Sequence, residues 1–375
     1  MIVELHLLQS FPVSNLNRDD LGQPKTATFG GVTRARISSQ SLKRAARRLF
    51  TKYGLNTTEV GIRTKRIVDE VVPILGRAGK DEEQARTVAM AALRQLGFGV
   101  NKDSGLTQYL LFVSHASIDF LARYCDDNWE SLKRLAAAKT TSAQNKIKAD
   151  RAAVEAGRRI LDAGRAADVA LFGRMIADNA DFNVNAASQV AHAISTHAVT
   201  TEFDYFTAVD DLKPNDTPGA EMIGSVDFNA ACYYRYANVD IGQLSVNLSG
   251  DDDLVARTVR AWLYAFINAV PGGKQNSTAA LTMPDTLLGV VRSRGAWNLA
   301  NAFLKPVVAE DLMSESTDRM LWHFGRLKDF YGGESGEIRS AVAASVSGDI
   351  ATNGVVSTAD SVDTFVRGLL AAAEV

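Results

Sequence analysis

The segments of this chain that read as β-strand are few and far apart, with long helical blocks between them. Residues 2–8 alternate, Val3, Leu5 and Leu7 against Glu4 and His6, which is the period of a strand with one apolar face. Strand character returns at residues 168–175, 225–240 and 285–292. Residues 58–167 are almost wholly helical in pattern, with Asp81 as an N-cap, and a helix is expected over residues 187–198. Residues 200–224 carry the turn-forming run Lys213-Pro214-Asn215-Asp216-Thr217-Pro218-Gly219 and read as a long hairpin or loop. Asp251, Asp252 and Asp253 cap a helix that stops at Pro271-Gly272-Gly273, and the chain beyond residue 292 reads as mostly helical, including residues 361–373. Distant strands with helices between them predict an α+β fold: a sheet with helices on one face, decorated by large insertions.

The charge pattern is as uneven as the strand pattern. No Asp or Glu occurs between residues 21 and 58, where Lys25, Arg34, Arg36, Lys43, Arg44, Arg47, Arg48 and Lys52 all fall. Ser38 and Ser39 open a helix there. Leu42, Ala45, Ala46, Leu49 and Phe50 make its apolar stripe. Lys43 and Arg47 form one i, i+4 row on the other side, Arg44 and Arg48 a second, and Gln40 lies three before Lys43. Cations, an amide, serine hydroxyls and the free N–H groups of a helix start are the chemistry that phosphates want. A basic helical face is more often simply solvated. The length of the acid-free window and Gly30-Gly31 in the preceding loop, which permit close backbone approach, bring an anionic polymer level with that reading. The net charge of −2 does not decide the matter, because binding follows where charge sits.

Other classes find little support. The two cysteines, Cys125 and Cys232, have no metal-ligand spacing or disulfide framework, so a reducing cytoplasm is expected and no cofactor or metal is. No apolar run is long enough to span a bilayer, so no membrane partner is expected. His192 and His197 stand five apart, wrong for shared ligation on a helix. They read as acid–base residues for RNA cleavage or, preferably, as structural hydrogen-bonding groups.

A set of ordered words resembles a known family. Leu16-Asn17-Arg18-Asp19-Asp20, Phe29-Gly30-Gly31 and Arg34-Ala35-Arg36-Ile37-Ser38-Ser39-Gln40-Ser41-Leu42-Lys43-Arg44 look like the N-terminal signature of the CasC family, the backbone subunit of the type I-E CRISPR Cascade complex. Gly173-Arg174-Met175, Ala191-His192-Ala193-Ile194-Ser195-Thr196-His197, Phe206-Thr207-Ala208-Val209-Asp210-Asp211, Tyr234-Arg235-Tyr236-Ala237-Asn238, Val270-Pro271-Gly272-Gly273-Lys274-Gln275 and Ala300-Asn301-Ala302-Phe303 follow in order. The resemblance implies a hand-shaped, non-catalytic protein with an RRM-like, ferredoxin-type palm sheet. The palm would comprise residues 1–57, 168–199 and 225–375, the helical fingers insertion residues 58–167, and the thumb residues 200–224. It implies copies stacked head to tail along a guide RNA (crRNA), beside other Cascade subunits, presenting bases for pairing with a target DNA strand.

By the same resemblance Arg18, Lys25, Ser38, Gln40, Lys43 and Arg47 occupy guide-backbone positions, with Arg47 where the family commonly has Lys. The basic surface adds Arg34, Ser39 and Arg44, and the later motifs add Arg174 and Lys274. Met175 matches a methionine that packs near a displaced base, and Tyr205, Phe206, Thr207 and Ile223 match thumb positions, Tyr205 standing where tryptophan is usual. The residues themselves leave alternatives. Asp19 and Asp20 would serve a metal-dependent endoribonuclease, or else orient Arg18 and cap local backbone. Gly272-Gly273-Lys274-Gln275 is a phosphate nest or an ordinary helix C-cap. Tyr234 and Tyr236 share one strand face, as a stacking platform or as core. Asp210-Asp211 and the three aspartates from Asp251 read as turns and caps.

Overall fold

The computed structural model describes residues 1–137, 155, 157, 166–175, 183–207, 223–331, 337–348, 350–352 and 354–375. The elements run β1 (Ile2–Ser14), β2 (Thr26–Phe29), β3 (Val32–Ile37), α1 (Ser39–Arg47), β4 (Ile62–Thr64), α2 (Ile67–Arg77), α3 (Glu82–Gln95), β5 (Leu111–Val113), α4 (His115–Asp127), α5 (Trp129–Ala137), α6 (Ala167–Phe172), β6 (Ser188–Val190), β7 (Ala193–Ser195), β8 (Glu202–Thr207) and β9 (Ile223–Asp240). They continue with α7 (Ile241–Asn247), α8 (Asp252–Asn268), α9 (Gln275–Thr278), β10 (Thr286–Arg292), α10 (Leu312–Phe330), β11 (Ile338–Ser345), β12 (Ser357–Thr358) and α11 (Val362–Ala372). Contacts divide the chain into two compact units. The first holds Met1–Tyr53, Ser188–Gly242 and Ala256–Val375, the second Gly54–Ala187 and Gln243–Val255.

The first unit is built on a ten-stranded sheet of order β12-β11-β10-β1-β9-β7-β3-β2, with β6 and β8 also pairing to β9. The pairing is antiparallel except where β12 joins β11. The α+β class is thus present, as a large sheet with helices. Those helices cover both faces, not one. Leu5 pairs with Gly289, and a Cβ on Gly289 would meet Leu369 and Phe365 of α11. Leu7 pairs with Arg235, whose guanidinium donates to the Phe266 carbonyl of α8 at 2.5 Å. On the opposite face Leu8, Tyr234, Tyr236, Leu288 and Val290 pack with Phe303 and with Met320 and Phe324 of α10.

Glu4 and His6, on the face opposite Val3, Leu5 and Leu7, are buried as well: they are 0% and 1% exposed. Each has a protein partner on one of its two polar atoms. The Tyr236 hydroxyl and the Trp297 amide donate to Glu4 Oε1 at 3.0 and 2.5 Å, and the Tyr234 hydroxyl lies 2.9 Å from His6 Nδ1. Burial raises the Glu4 carboxyl to about 7, against the pull of the Trp297 amide, Arg292 and Tyr236, and lowers His6 to about 3. Tyr233, Tyr234 and Tyr236 are therefore core, not a stacking platform.

In the second unit α2, α3, α4 and α5 enclose Val68, Val71, Leu75, Val88, Leu93 and Leu121, with β4 and β5 forming a short separate ladder. Residues 168–175, read as a strand, contain α6, which Gly173 ends at φ +74°. The short apolar run has no period that separates strand from helix. The helix expected over residues 187–198 is instead β6 and β7, because both add to the edge of β9. The strand β11 lies in a stretch read as helical; it pairs antiparallel with β10, Thr286 opposite Ser345 and Val290 opposite Ala341.

Candidate nucleic-acid interface

Asn17 organises the basic surface. Its carbonyl accepts from the Lys25 amide at 2.9 Å, and its side-chain Oδ1 accepts from the Ser38 amide at 2.8 Å. One residue thus closes the loop of residues 17–25 and ties it to the start of α1. Within the loop, Asp19 Oδ1 accepts from the amides of Leu21 and Gln23, both at 2.9 Å. That is the backbone-capping role argued for it, and it leaves Arg18 exposed at the rim. Among the described residues no group of three or more His, Cys, Asp or Glu is placed to hold a metal ion.

Ser38 is the N-cap of α1, its hydroxyl accepting from the Ser41 amide at 3.3 Å. Leu42 and Ala46 are buried beneath the helix. Gln40, Arg44 and Arg48 are exposed, and Ser39, Lys43 and Arg47 half-buried. The first turn holds no acid, and Arg44 and Arg47 stand in the last turn, where cations also favour the helix dipole. The two cationic rows serve different surroundings. Arg44 and Arg48 border a groove of about 470 Å³ with Asn268, Gly272, Leu281 and Met283. Lys43 and Arg47 are not part of it.

Arg34 is a correction. It is 0% exposed. Its guanidinium donates to the carbonyls of Phe29 at 3.2 Å, Ser195 at 2.9 Å and Phe303 at 2.7 Å. A side chain so enclosed cannot meet a phosphate; it ties β3 to β7 and to the turn Leu299–Phe303. Gly30 belongs to the same joint, since a Cβ there would stand 1.7 Å from the Leu304 carbonyl oxygen.

Lys274 adopts a left-handed conformation, φ 52°, ψ 20°, ahead of α9. Gly273 packs on the chain at the end of β1, where a Cβ would lie 2.3 Å from the Leu16 carbonyl oxygen. The structure brings Lys274 together with Phe206, Phe228, Asn15 and Ser277 in a cleft of about 540 Å³. The cleft adjoins the β8–β9 hairpin, in which Tyr205 pairs with Ser225, Phe206 with Gly224 and Thr207 with Ile223. Phe206 lies on Gly224, a Cβ there coming 2.4 Å from its ring. Phe203 and Tyr205 are 77% and 60% exposed. Asp210, Asp211 and the run from Lys213 to Glu221 lie outside the described residues.

Arg174 and Met175 belong to the second unit. Arg174 donates to the Phe112 carbonyl at 3.1 Å and exchanges main-chain bonds with Val184, while Met175 is 85% exposed. They border a cleft of about 520 Å³ with Arg63, whose guanidinium lies 4.8 Å over the Phe112 ring.

Both histidines of the second motif serve the backbone. The Cys232 amide donates to His197 Nε2 at 3.2 Å, and His197 Nδ1 lies 2.8 Å from the Ala198 carbonyl. The Ser39 amide donates to His192 Nδ1 at 3.0 Å. The structural hydrogen-bonding role preferred for His192 and His197 is thus present; sequence reasoning missed Asn17 as an organiser, because the acid-free window pointed only at cations. Asp251 Oδ1 accepts from the Leu254 amide at 3.0 Å, the cap expected of it.

Two comparisons place this geometry among known proteins. One solved structure, titled "CRISPR RNA-guided surveillance complex, pre-nicking", contains a chain 33% identical to this one, with a TM-score of 0.84 and 100% of each chain covered. A second, titled "CRISPR RNA-guided surveillance complex", contains a chain 28% identical, with a TM-score of 0.77, covering 99% of this chain and 100% of the other. No functionally curated protein matches. A family model described as CT1975-like protein matches residues 3–367. The chain belongs to the CT1975-like family, as the resemblance carried by its motifs anticipates.

Proposed function

We propose that this protein is a non-catalytic guide-RNA-binding backbone subunit of a CRISPR surveillance complex. The observation that carries the reading is the surface that Asn17 assembles: Arg18, Lys25 and α1, whose own residues include cations and no acid. Cations there neutralise phosphates, and the side chains of Ser39 and Gln40 fix the register of the strand. The likeness to chains of two RNA-guided complexes along their whole length supports it.

In this reading the ten-stranded sheet is an RRM-like palm, and the hairpin of β8 and β9 is the base of a thumb. Phe203, Tyr205 and Phe206 stand exposed on that hairpin, suited to wedge against bases or a neighbouring copy. Met175, exposed in the helix-rich second unit, serves the displaced base. Copies stack head to tail; such contacts are heterologous, so assembly is open and guide length limits the copy number. Pairing between guide and target DNA supplies sequence specificity, while protein reads backbone and shape. The test is to purify the protein after expression with a CRISPR array, extract nucleic acid and image the particles. Short RNA of defined length within helical particles is expected. Protein that carries no RNA and stays monomeric with added single-stranded RNA refutes the reading.

A further inference from the structure

His192 stands inside the basic surface, just ahead of β7, where the pairing of Ile37 with Ala193 brings it beside the first residue of α1. Its Nδ1 accepts from the Ser39 amide at 3.0 Å, and Arg36 Nη1 approaches the same atom at 3.5 Å. Both are donors that cannot accept, so Nδ1 carries the lone pair and the ring proton is on Nε2. His192 is exposed as a residue. The surrounding groups are Lys25 from the loop before β2, whose carbonyl accepts from the Arg36 amide at 2.9 Å, Arg36 from β3 and the Ser39 amide from α1; among the described residues, the groups that act on it include no carboxylate. Partial burial, Arg36 and Lys25 together lower the His192 pKa, which keeps the ring neutral.

We infer that Lys25, Arg36 and His192 form one phosphate-binding site, in which His192 supplies a neutral N–H donor from Nε2. The inference rests on the RNA reading above. Two cations and one uncharged donor suit the two non-bridging oxygens of a phosphodiester: Lys25 and Arg36 neutralise the charge, and the imidazole N–H adds direction. The Ser39 amide is taken up by the imidazole, so the helix end serves to lock the tautomer and is not itself the binding group.

A neutral donor has a distinct signature, because it strengthens binding without releasing a counterion. Binding of a fluorescein-labelled oligouridine to the full-length chain, measured across salt concentrations, separates the cases. In His192→Asn the new Oδ1 takes the place of Nδ1 and keeps the Ser39 contact, while the Nε2–H donor is lost. Affinity is expected to fall by about tenfold or more, consistent with one hydrogen bond to a charged group, with the log–log salt slope and Tm unchanged. Lys25→Ala is expected to lower the slope by about one. Unchanged affinity in His192→Asn means that the histidine only caps the helix, and a reduced slope means that it acts as a cation; either overturns the inference while the RNA reading stands. Absence of oligouridine binding by the wild-type chain sinks the RNA reading and this site with it. In wild-type protein with ¹⁵N-labelled histidine, the His192 Nε2 resonance should be that of a protonated nitrogen and should move on adding oligouridine; no movement also overturns the site.

Discussion

Arg34 donates to the main-chain carbonyl of Phe303 at 2.7 Å, joining two segments far apart in the chain. The same guanidinium serves Ser195 and Phe29. Removing it strands buried carbonyls and empties the space that it fills. Arg34→Ala is expected to destabilise the fold by about 3–5 kcal/mol. Denaturant unfolding measures this, and the folded fraction should bind oligouridine with the wild-type salt slope. A lowered slope would put Arg34 back among the phosphate contacts.

Lys43→Ala combined with Arg47→Ala should weaken RNA binding irrespective of sequence and lower the salt slope by up to about two. Fluorescence anisotropy at several salt concentrations reads both. Loss of affinity confined to one RNA sequence would contradict a backbone contact.

Glu4 and His6 give the fold opposing pH dependences. The folded-state pKa of Glu4 is raised from 4.5 to about 7. Its stabilising contribution is present below the unfolded value and lost as pH rises through about 7, a swing on the order of 3 kcal/mol. His6 is lowered from 6.5 to about 3, so its contribution is present above pH 6.5 and lost as pH falls toward 3. Thermal melts should show Glu4→Gln flattening the decline of Tm between pH 5 and 8, and His6→Gln flattening the acid limb. Curves that keep the wild-type shape would mean that the buried pair is not what titrates.

Gly30 and Gly31 are adjacent but should differ sharply. A Cβ at Gly30 meets the Leu304 carbonyl, whereas nothing lies within 4 Å of one at Gly31, whose φ is +80°. Gly31→Ala is expected to cost about 1 kcal/mol from backbone strain alone. Gly30→Ala should cost several times more, or prevent folding. Equal losses in urea unfolding would show that the contact with residue 304 relaxes freely.

The aromatic side chains of β8 offer a separable test. Phe203→Ser with Tyr205→Ser removes exposed rings only, so Tm should stay within about 1 °C, in line with small surface effects. Ordered particles on RNA should be lost, as seen by negative-stain microscopy. A large fall in Tm would mean that the rings belong to the fold.

The strand and helix periods made much of this architecture legible. Residues 2–8, 225–240 and 286–292 are strands in the structure, and α1 and α11 begin at the serines that cap them. What escaped was set by distant pairing. His192 and Ser195 lie in a segment whose local sequence suits a helix, yet the open edge of β9 takes it as strand. Glu4 reads as solvent-facing by alternation alone; only the chain near Trp297 shows that its face is covered. For the basic surface, residue type disclosed the cations. It did not disclose that Arg34 turns inward while Arg36, two positions on, stays near His192.

The strand β9 runs unbroken for 18 residues and pairs with β1, β6, β7 and β8. At about 3.3 Å per residue that is a rod of about 60 Å. The hairpin that begins at Ile223 and the sheet centre at Val239 are therefore the same piece of backbone, with no joint between them. A load on the hairpin is carried straight into the middle of the sheet, so the protrusion is a lever rather than a tether.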